Sequence, residues 1–202
     1  MAKIDSLESL RTLYREPSER AVRKQLDRLD EHCRKFISLS PFLVMASADG
    51  AGRMDASPRG GEPGFVKVLD ERTVLIPDAP GNNRLDSLEN LIRNPGLGLL
   101  FLIPGVDETL RINGKVTLKT DEALIDLCAN ERRRPPLVIA VEVREAYLHC
   151  AKALMRSKLW NPEMKVERSV LPSLGQMLKD QLGLPGEPES TEAMRLKYQK
   201  DL

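Results

Sequence analysis

The chain has 202 residues, 41% of them apolar and 30% charged, enough for one well-buried core within the usual domain size of about 100 to 200 residues. Thirty-one lysines and arginines stand against thirty acids, a formal net charge of +1, and the signs alternate along the chain instead of forming blocks. That balance excludes the basic footprint of a nucleic-acid binder and the polybasic patch of a membrane-surface protein.

Ile4, Leu7, Leu10, Leu13 and Tyr14 recur at helical spacing until Pro17. The N-terminus carries acids and lacks an apolar leader core, and no later run approaches the roughly 18 apolar residues of a membrane span. A soluble, cytoplasmic protein is expected. Ser18 can cap a second, longer helix whose stripe is Val22, Leu26, Leu29, Cys33, Phe36 and Ile37, ending near Ser40-Pro41. The heptad-like spacing lasts barely two heptads, which predicts packing on a globular core rather than a coiled coil.

Strand patterns follow. Phe42 to Ser47 and Arg53 to Ser57 flank a turn-rich Ala-Asp-Gly-Ala-Gly and read as a hairpin, and Phe65 to Leu69 and Thr73 to Ile76 read as a second. Asn83 is placed to cap a helix with Asp86 at its third position, Leu85, Leu88, Leu91 and Ile92 on its buried face, and Asn94-Pro95-Gly96 as its stop. Leu97 to Ile103 suits a central strand, and Thr109 to Leu118 a half-buried one with a bulge or bend at Gly114. After a short helix over Asp121 to Ala129, Leu137 to Val143 completes a count of about six strands. Few helices separate them, which argues for a barrel or sandwich. Most of Ala146 to Trp160 reads as helix, as does Ser173 to Leu182, and Gly186 onward reads as a linker into a polar tail.

The chain contains no P-loop, dinucleotide-binding glycine fingerprint, His-Glu-x-x-His or Gly-x-Ser-x-Gly pattern. Cys33, Cys128 and Cys150 are odd in number and widely spaced, so reduced thiols are expected rather than a disulfide framework. His32-Cys33 and His149-Cys150 superficially offer a zinc set, but adjacent side chains diverge on a helix or strand, and the spacing of a metal site is missing. The same divergence argues against a Cys-His nucleophile pair.

Two stretches stand out for binding. Ser57-Pro58-Arg59-Gly60-Gly61 and Asn82-Asn83-Arg84 each set a guanidinium beside small, turn-forming residues, the combination that meets a phosphate with several donors at once. A basic residue near a helix start is also unfavourable unless an anion lies close. A phosphorylated cofactor is the expected ligand.

Phe42-Leu-Val-Met-Ala-Ser-Ala-Asp-Gly, Asp55-Ala-Ser-Pro-Arg-Gly, Pro77-Asp-x-Pro-Gly-Asn-Asn-Arg, Asn94-Pro-x-x-Gly-Leu-Leu-Phe, Thr109-Leu-Arg-Ile-Asn-Gly, His149-Cys-Ala-Lys-Ala and Arg156-Ser-x-Leu-Trp160 form a set. Together they resemble the pyridoxamine 5′-phosphate oxidase-related, FMN-dependent (flavin-nucleotide-binding) proteins over about residues 35 to 165. The resemblance implies a mainly β fold with flanking helices (α+β), a six-stranded antiparallel split β-barrel. It also implies a homodimer with FMN at the subunit interface.

Residues 1–40 are expected as helices packed on the barrel and 166–202 as a C-terminal helix and polar tail, around the FMN-binding split barrel that the resemblance implies for 41–165, in one globular unit overall. Ser57, Arg59, Asn83 and Arg84 are implied at the FMN phosphate, with Lys67 a further candidate. His149, Lys152, Arg156 and Trp160 are implied near the isoalloxazine or ribityl chain. The implied activity is FMN-dependent oxidation or reduction of a small molecule or electron acceptor; a flavin carrier or sensor, or a barrel holding heme or the deazaflavin F420, are the alternatives. The C-terminal features by which the oxidase proper recognises pyridoxamine phosphate have no counterpart here, so vitamin B6 oxidation is not implied.

Overall fold

A computed structural model describes residues 3–200. Seven strands, β1 (Phe42–Ala48), β2 (Met54–Gly60), β3 (Lys67–Val68), β4 (Thr73–Pro77), β5 (Gly96–Leu102), β6 (Thr109–Lys119) and β7 (Val138–His149), form one antiparallel sheet in the order β2-β1-β5-β6-β7-β4-β3. Side chains alternate between the faces, so Leu43, Met45 and Ser47 of β1 turn inward while Phe42, Val44 and Ala46 stay more open. The inward rows of β1, β4, β5, β6 and β7 share one core, in which Phe101, Leu110, Ile112 and Val141 are fully buried. No backbone ladder joins the sheet's outermost strands, β2 and β3. The fold is therefore a split barrel, mainly β with flanking helices. It corrects the expected strand count: six strands have five or more residues, and the two-residue β3 is the seventh.

The anticipated bend in β6 is real, with the β6–β7 register shifting between Asn113 and Gly114. Glycine is required there. A Cβ on Gly114 would run into the Glu142 carbonyl oxygen and would lie 2.9 Å from Val141 Cγ1.

Eight helices occur among the described residues: α1 (Leu7–Arg11), α2 (Glu19–Arg23), α3 (Glu31–Leu39), α4 (Asp86–Arg93), α5 (Glu122–Cys128), α6 (Lys152–Ser157), α7 (Leu174–Leu182) and α8 (Thr191–Gln199), of which α3, α4 and α5 pack on the sheet. The single helix expected from Ser18 to Ser40 is broken. Leu26 exchanges backbone hydrogen bonds with Ala146 of β7, and the Leu29 N–H donates to the Glu71 carbonyl at 2.7 Å, so this stretch finds its partners in the sheet. Asp30 then starts α3 afresh, its carboxylate accepting the Cys33 N–H at 2.8 Å, and Cys33, Phe36 and Ile37 enter the core. α5 covers a second, smaller cluster of Leu75, Ile125, Cys128 and Val138. No described helix is long and apolar enough to cross a membrane.

Candidate functional site: the inner face of β2 and the loop above α4

Asp55, Ser57 and Arg59 occupy alternate positions of β2, so all three face inward, opposite Ser47, Met45 and Leu43 of β1. At one end, Asp55 accepts a hydrogen bond from the hydroxyl of Ser87, a buried residue in the first turn of α4. At the other, Arg59 pairs with Asp78 at 3.1 Å. Asp78 directly follows β4, and its N–H donates to the Leu137 carbonyl at 3.1 Å. The segment from Asp78 to Ser87 is thereby pinned at both ends to one face of β2, and it carries Asn83 and Arg84.

The loop bends through two left-handed residues, Asn83 at φ +58° and Leu85 at φ +59°. Asparagine tolerates this region, whereas leucine there costs about 1 to 2 kcal/mol. Leu85 flanks the start of α4, not Asn83 as expected, and no side chain caps the helix. Arg84 accordingly lies before the helix and not in its first turn. The reason is the Ser87–Asp55 bond together with burial of Leu88, Asn90 and Leu91, which set the helix's rotation and leave Leu85 and Ile92 exposed.

The Asn82 side-chain oxygen accepts the Arg84 N–H at 3.0 Å, and the Arg84 guanidinium reaches both oxygens of Asp86, at 2.8 and 3.3 Å. The guanidinium's hydrogen bond and charge hold the Asp86 carboxyl below its usual range, and the same Asp86 contact, with a smaller contribution from Asp55, raises Arg84. Both side chains are solvated, so this pair is weak and exchangeable.

Arg59 differs. Its Nε is buried and has no hydrogen-bond partner among the described residues, although the same guanidinium gives an N–H to Asp78. An orphaned N–H away from water costs about 1 to 3 kcal/mol, and such groups call for a specific acceptor.

Lys67 stands apart from this group. It pairs with Leu75 on the face that α5 covers, and its ammonium donates to the Gly64 carbonyl at 3.1 Å.

The remaining sequence candidates gather elsewhere. β7 runs on to His149, where a helix was expected from Ala146, because Thr109 to Asn113 of β6 pair with it throughout. The His149 ring lies 4.9 Å from Tyr147, whose hydroxyl accepts from Arg111 at 2.9 Å and whose ring has the Lys24 ammonium 5.2 Å from its centre. Desolvation, then the charges of Lys24 and Arg111, push His149 below its ordinary value, so it is neutral at neutral pH. Trp160 donates its ring N–H to the Val106 carbonyl at 2.9 Å and lines a shallow cleft of about 310 Å³ with Leu154, Met155 and Lys158. Lys152 and Arg156 project from α6 with no ion pair among the described residues. Among the described residues, no hydrogen bond or ion pair connects this group with the β2 group.

Asp55, Asp78, Ser87, Lys24, Arg111 and Tyr147 were not singled out from sequence. The period-two alternation of β2 alone makes Asp55 a companion of Ser57 and Arg59. The others become neighbours only through strand pairing and helix docking.

The family model described as pyridoxamine 5′-phosphate oxidase matches residues 29–150, well over half of the chain and including the whole sheet. Among solved structures, HupZ of Group A Streptococcus is 16% identical and aligns over 59% of this chain and 93% of its own, with a TM-score of 0.49. An FMN-binding protein of Syntrophomonas wolfei is 8% identical, over 58% and 83%, at 0.47. General Stress Protein 26 of Bacillus anthracis is 12% identical, over 58% and 93%, at 0.42. No curated protein matches. With the split barrel in place and the family model spanning it from α3 to the end of β7, the chain belongs to the pyridoxamine 5′-phosphate oxidase family.

Proposed function

We propose that this protein binds FMN and, as a homodimer, acts as an FMN-dependent oxidoreductase on a small molecule. The observation that carries the reading is the buried, partnerless Nε of Arg59, on the strand face to which the Asn83-Arg84 loop is pinned. A phosphate supplies the acceptor that this N–H lacks, and its several oxygens suit the planar guanidinium.

The surrounding residues fit the same group. Ser57 lies on that face between Asp55 and Arg59 and offers a hydroxyl. Arg84 is held only by a solvated carboxylate, so it can leave Asp86 for a dianion at little cost. A second copy of the chain would bring His149, Lys152, Arg156 and Trp160 toward the ring end, where the neutral imidazole exchanges hydrogen bonds without placing a charge in the site. When bound, the flavin ring supplies the electron transfer, while these side chains hold and orient it.

The test is the visible spectrum of the purified protein, with the cofactor released by heat and identified by chromatography, followed by FMN titration of Arg59→Lys. Bound FMN in the parent, with affinity reduced about tenfold or more in the variant, is expected for loss of a charge-assisted donor geometry. Colourless protein that takes up no added FMN would end this reading. Reduction of bound FMN by NADH or NADPH, followed by reoxidation by a quinone or oxygen, separates an oxidoreductase from a carrier.

A further inference from the structure

Two cations and an imidazole gather around one aromatic ring on the outer face of β6 and β7. The register pairs Asn113 with Glu145, Arg111 with Tyr147 and Thr109 with His149, so these residues alternate with the buried Leu110, Ile112 and Ala146 and point away from the core. Arg111 gives an N–H to the Tyr147 hydroxyl at 2.9 Å, and its guanidinium carbon lies 5.9 Å from the ring centre. Lys24 arrives at the other edge of β7. The paired backbone bonds between Leu26 and Ala146 lay the N-terminal segment along that edge, where the Lys24 ammonium donates to the Leu148 carbonyl at 2.9 Å and stands 5.2 Å from the same ring centre. The His149 ring, 4.9 Å from Tyr147, completes the group.

Two cations fixed beside one ring repel each other, and the ring's negative face offsets this only modestly. Neither Lys24 nor Arg111 has a carboxylate partner among the described residues. Glu145, two residues before Tyr147 on the same face, is taken up by the Asn113 amide at 2.8 Å. Each cation gives one N–H to a protein acceptor and keeps others to offer, and the imidazole adds a further donor. The field of Lys24 and Arg111 reaches that imidazole, since after desolvation these two charges are what lower His149.

We infer that Lys24, Arg111 and His149 form a second anion site around Tyr147, and that it holds a carboxylate of the small molecule on which the flavin acts. A carboxylate meets donors from both cations at once and cancels the repulsion between them. It suits this face better than a phosphate does. The backbone N–H groups of β6 and β7 lie along the sheet in its ladder, so only side chains reach out, and no small, turn-forming residues stand by to cradle a larger anion. The assignment to the substrate rests on the proposed function, which gives the FMN phosphate to Arg59 and Arg84 and brings His149 to the ring end.

The experiment uses the full-length chain and the ring protons of its two histidines, His32 and His149, told apart by His32→Gln in proton NMR. Benzoate should shift the His149 signals saturably and raise its titration midpoint, because the carboxylate offsets Lys24 and Arg111. Benzamide, of the same shape but uncharged, should not. Lys24→Gln and Arg111→Gln should each weaken the benzoate response about tenfold or more, as for loss of a charge-assisted bond. Circular dichroism should show both variants folded, since both side chains are exposed. Arg59→Lys should leave the response intact.

An equal response to benzamide, or to sodium chloride at matched ionic strength, would reduce the effect to stacking or screening and overturn the site. So would a response lost in Arg59→Lys, which would put the carboxylate at the phosphate position. Saturable binding of inorganic phosphate with none of benzoate would overturn the carboxylate assignment. In flavin-loaded protein benzoate should also shift the flavin absorption bands, and a His149 response with unchanged bands would overturn the link to the substrate. The NMR titration needs no flavin, so protein that takes up no FMN ends the proposed function by a separate measurement. Loaded protein without a His149 response would overturn the site and leave the FMN reading standing.

Discussion

Arg59 and Asp78 form an ion pair at 3.1 Å, with side chains only 17% and 14% exposed, between β2 and the end of β4, which no backbone ladder joins. The pair therefore serves as a side-chain bridge across the split of the barrel. Removing either partner strands the other in a poorly solvated place, so Arg59→Ala and Asp78→Ala should each lose about 2 to 4 kcal/mol. The double substitution should lose less than the two losses combined, with a coupling of about 1 to 3 kcal/mol. Urea unfolding of the four proteins at neutral pH measures this. Strictly additive losses would show that the two groups do not act on each other.

Gly114 offers a test of the β6 bulge. Gly114→Ala drives a methyl into the Glu142 carbonyl, which is backbone and cannot step aside, so about 1 to 3 kcal/mol should be lost. Gly98→Ala on β5 is the matched control. Its Cβ meets Asn113 Oδ1 at 3.4 Å and Ala46 Cβ at 3.8 Å, contacts the sheet accommodates, and stability should change by less than about 1 kcal/mol. Thermal melts of both variants decide it, and equal losses would remove the bulge from the explanation.

The β1–β2 turn should make stability pH-dependent. Asp49 is held below its reference value of 3.8 by the Arg53 side chain first, then by the backbone N–H of Arg53, with the Ala51 N–H adding a smaller share. Because its folded value is depressed, the carboxylate contributes stability above its unfolded value, and that contribution disappears as pH falls through the lower folded value. Asp49→Asn should accordingly be less stable than the parent near about pH 7, with the gap narrowing as pH falls below about 4. A gap that persists unchanged into acid would assign the effect to packing rather than charge.

Thiol chemistry should separate the three cysteines. Burial pushes the Cys33 thiol up to about 12, with a further contribution from the Asp30 carboxylate, and Cys128 is also raised by burial. Only Cys150 is exposed. Iodoacetamide near neutral pH should label Cys150 first, with Cys33 and Cys128 reacting only as the protein unfolds, since the thiolate is the reactive species. Mass spectrometry over time, with and without urea, reads the order. Rapid labelling of Cys33 in the folded state would contradict the docking of α3.

Some of this was legible without coordinates, and for local reasons. The β1–β2 and β3–β4 hairpins, the long apolar strand β5 and the bend at Gly114 are signalled by period-two alternation, turn residues and a lone strand glycine. Ser18, Ser173 and the stop at Asn94-Pro95 mark helix ends because capping is a short-range hydrogen-bonding problem. Arg59 and Arg84 drew notice from their small, turn-forming neighbours, and the structure pins the loop that carries Arg84 to the strand face that carries Arg59. Each of these signals is contained within a few residues, so a linear reading captures them.

Other features rest on residues far apart in the chain. The stripe from Val22 to Ile37 is helical by spacing, yet it breaks at Leu26 because Ala146, 120 positions away, offers that backbone a better partner. Asn83 looked like a helix cap, but the bond from Ser87 to Asp55 and the burial of Asn90 set where α4 begins. Nothing near Arg59 announces Asp78, or that one guanidinium nitrogen would be sealed from water without an acceptor. The sequence by itself therefore determined the hairpins, their turns and several helix ends. The tertiary structure decided which residues share one face, because burial and long-range hydrogen bonding are settled only when the sheet curls and the helices dock.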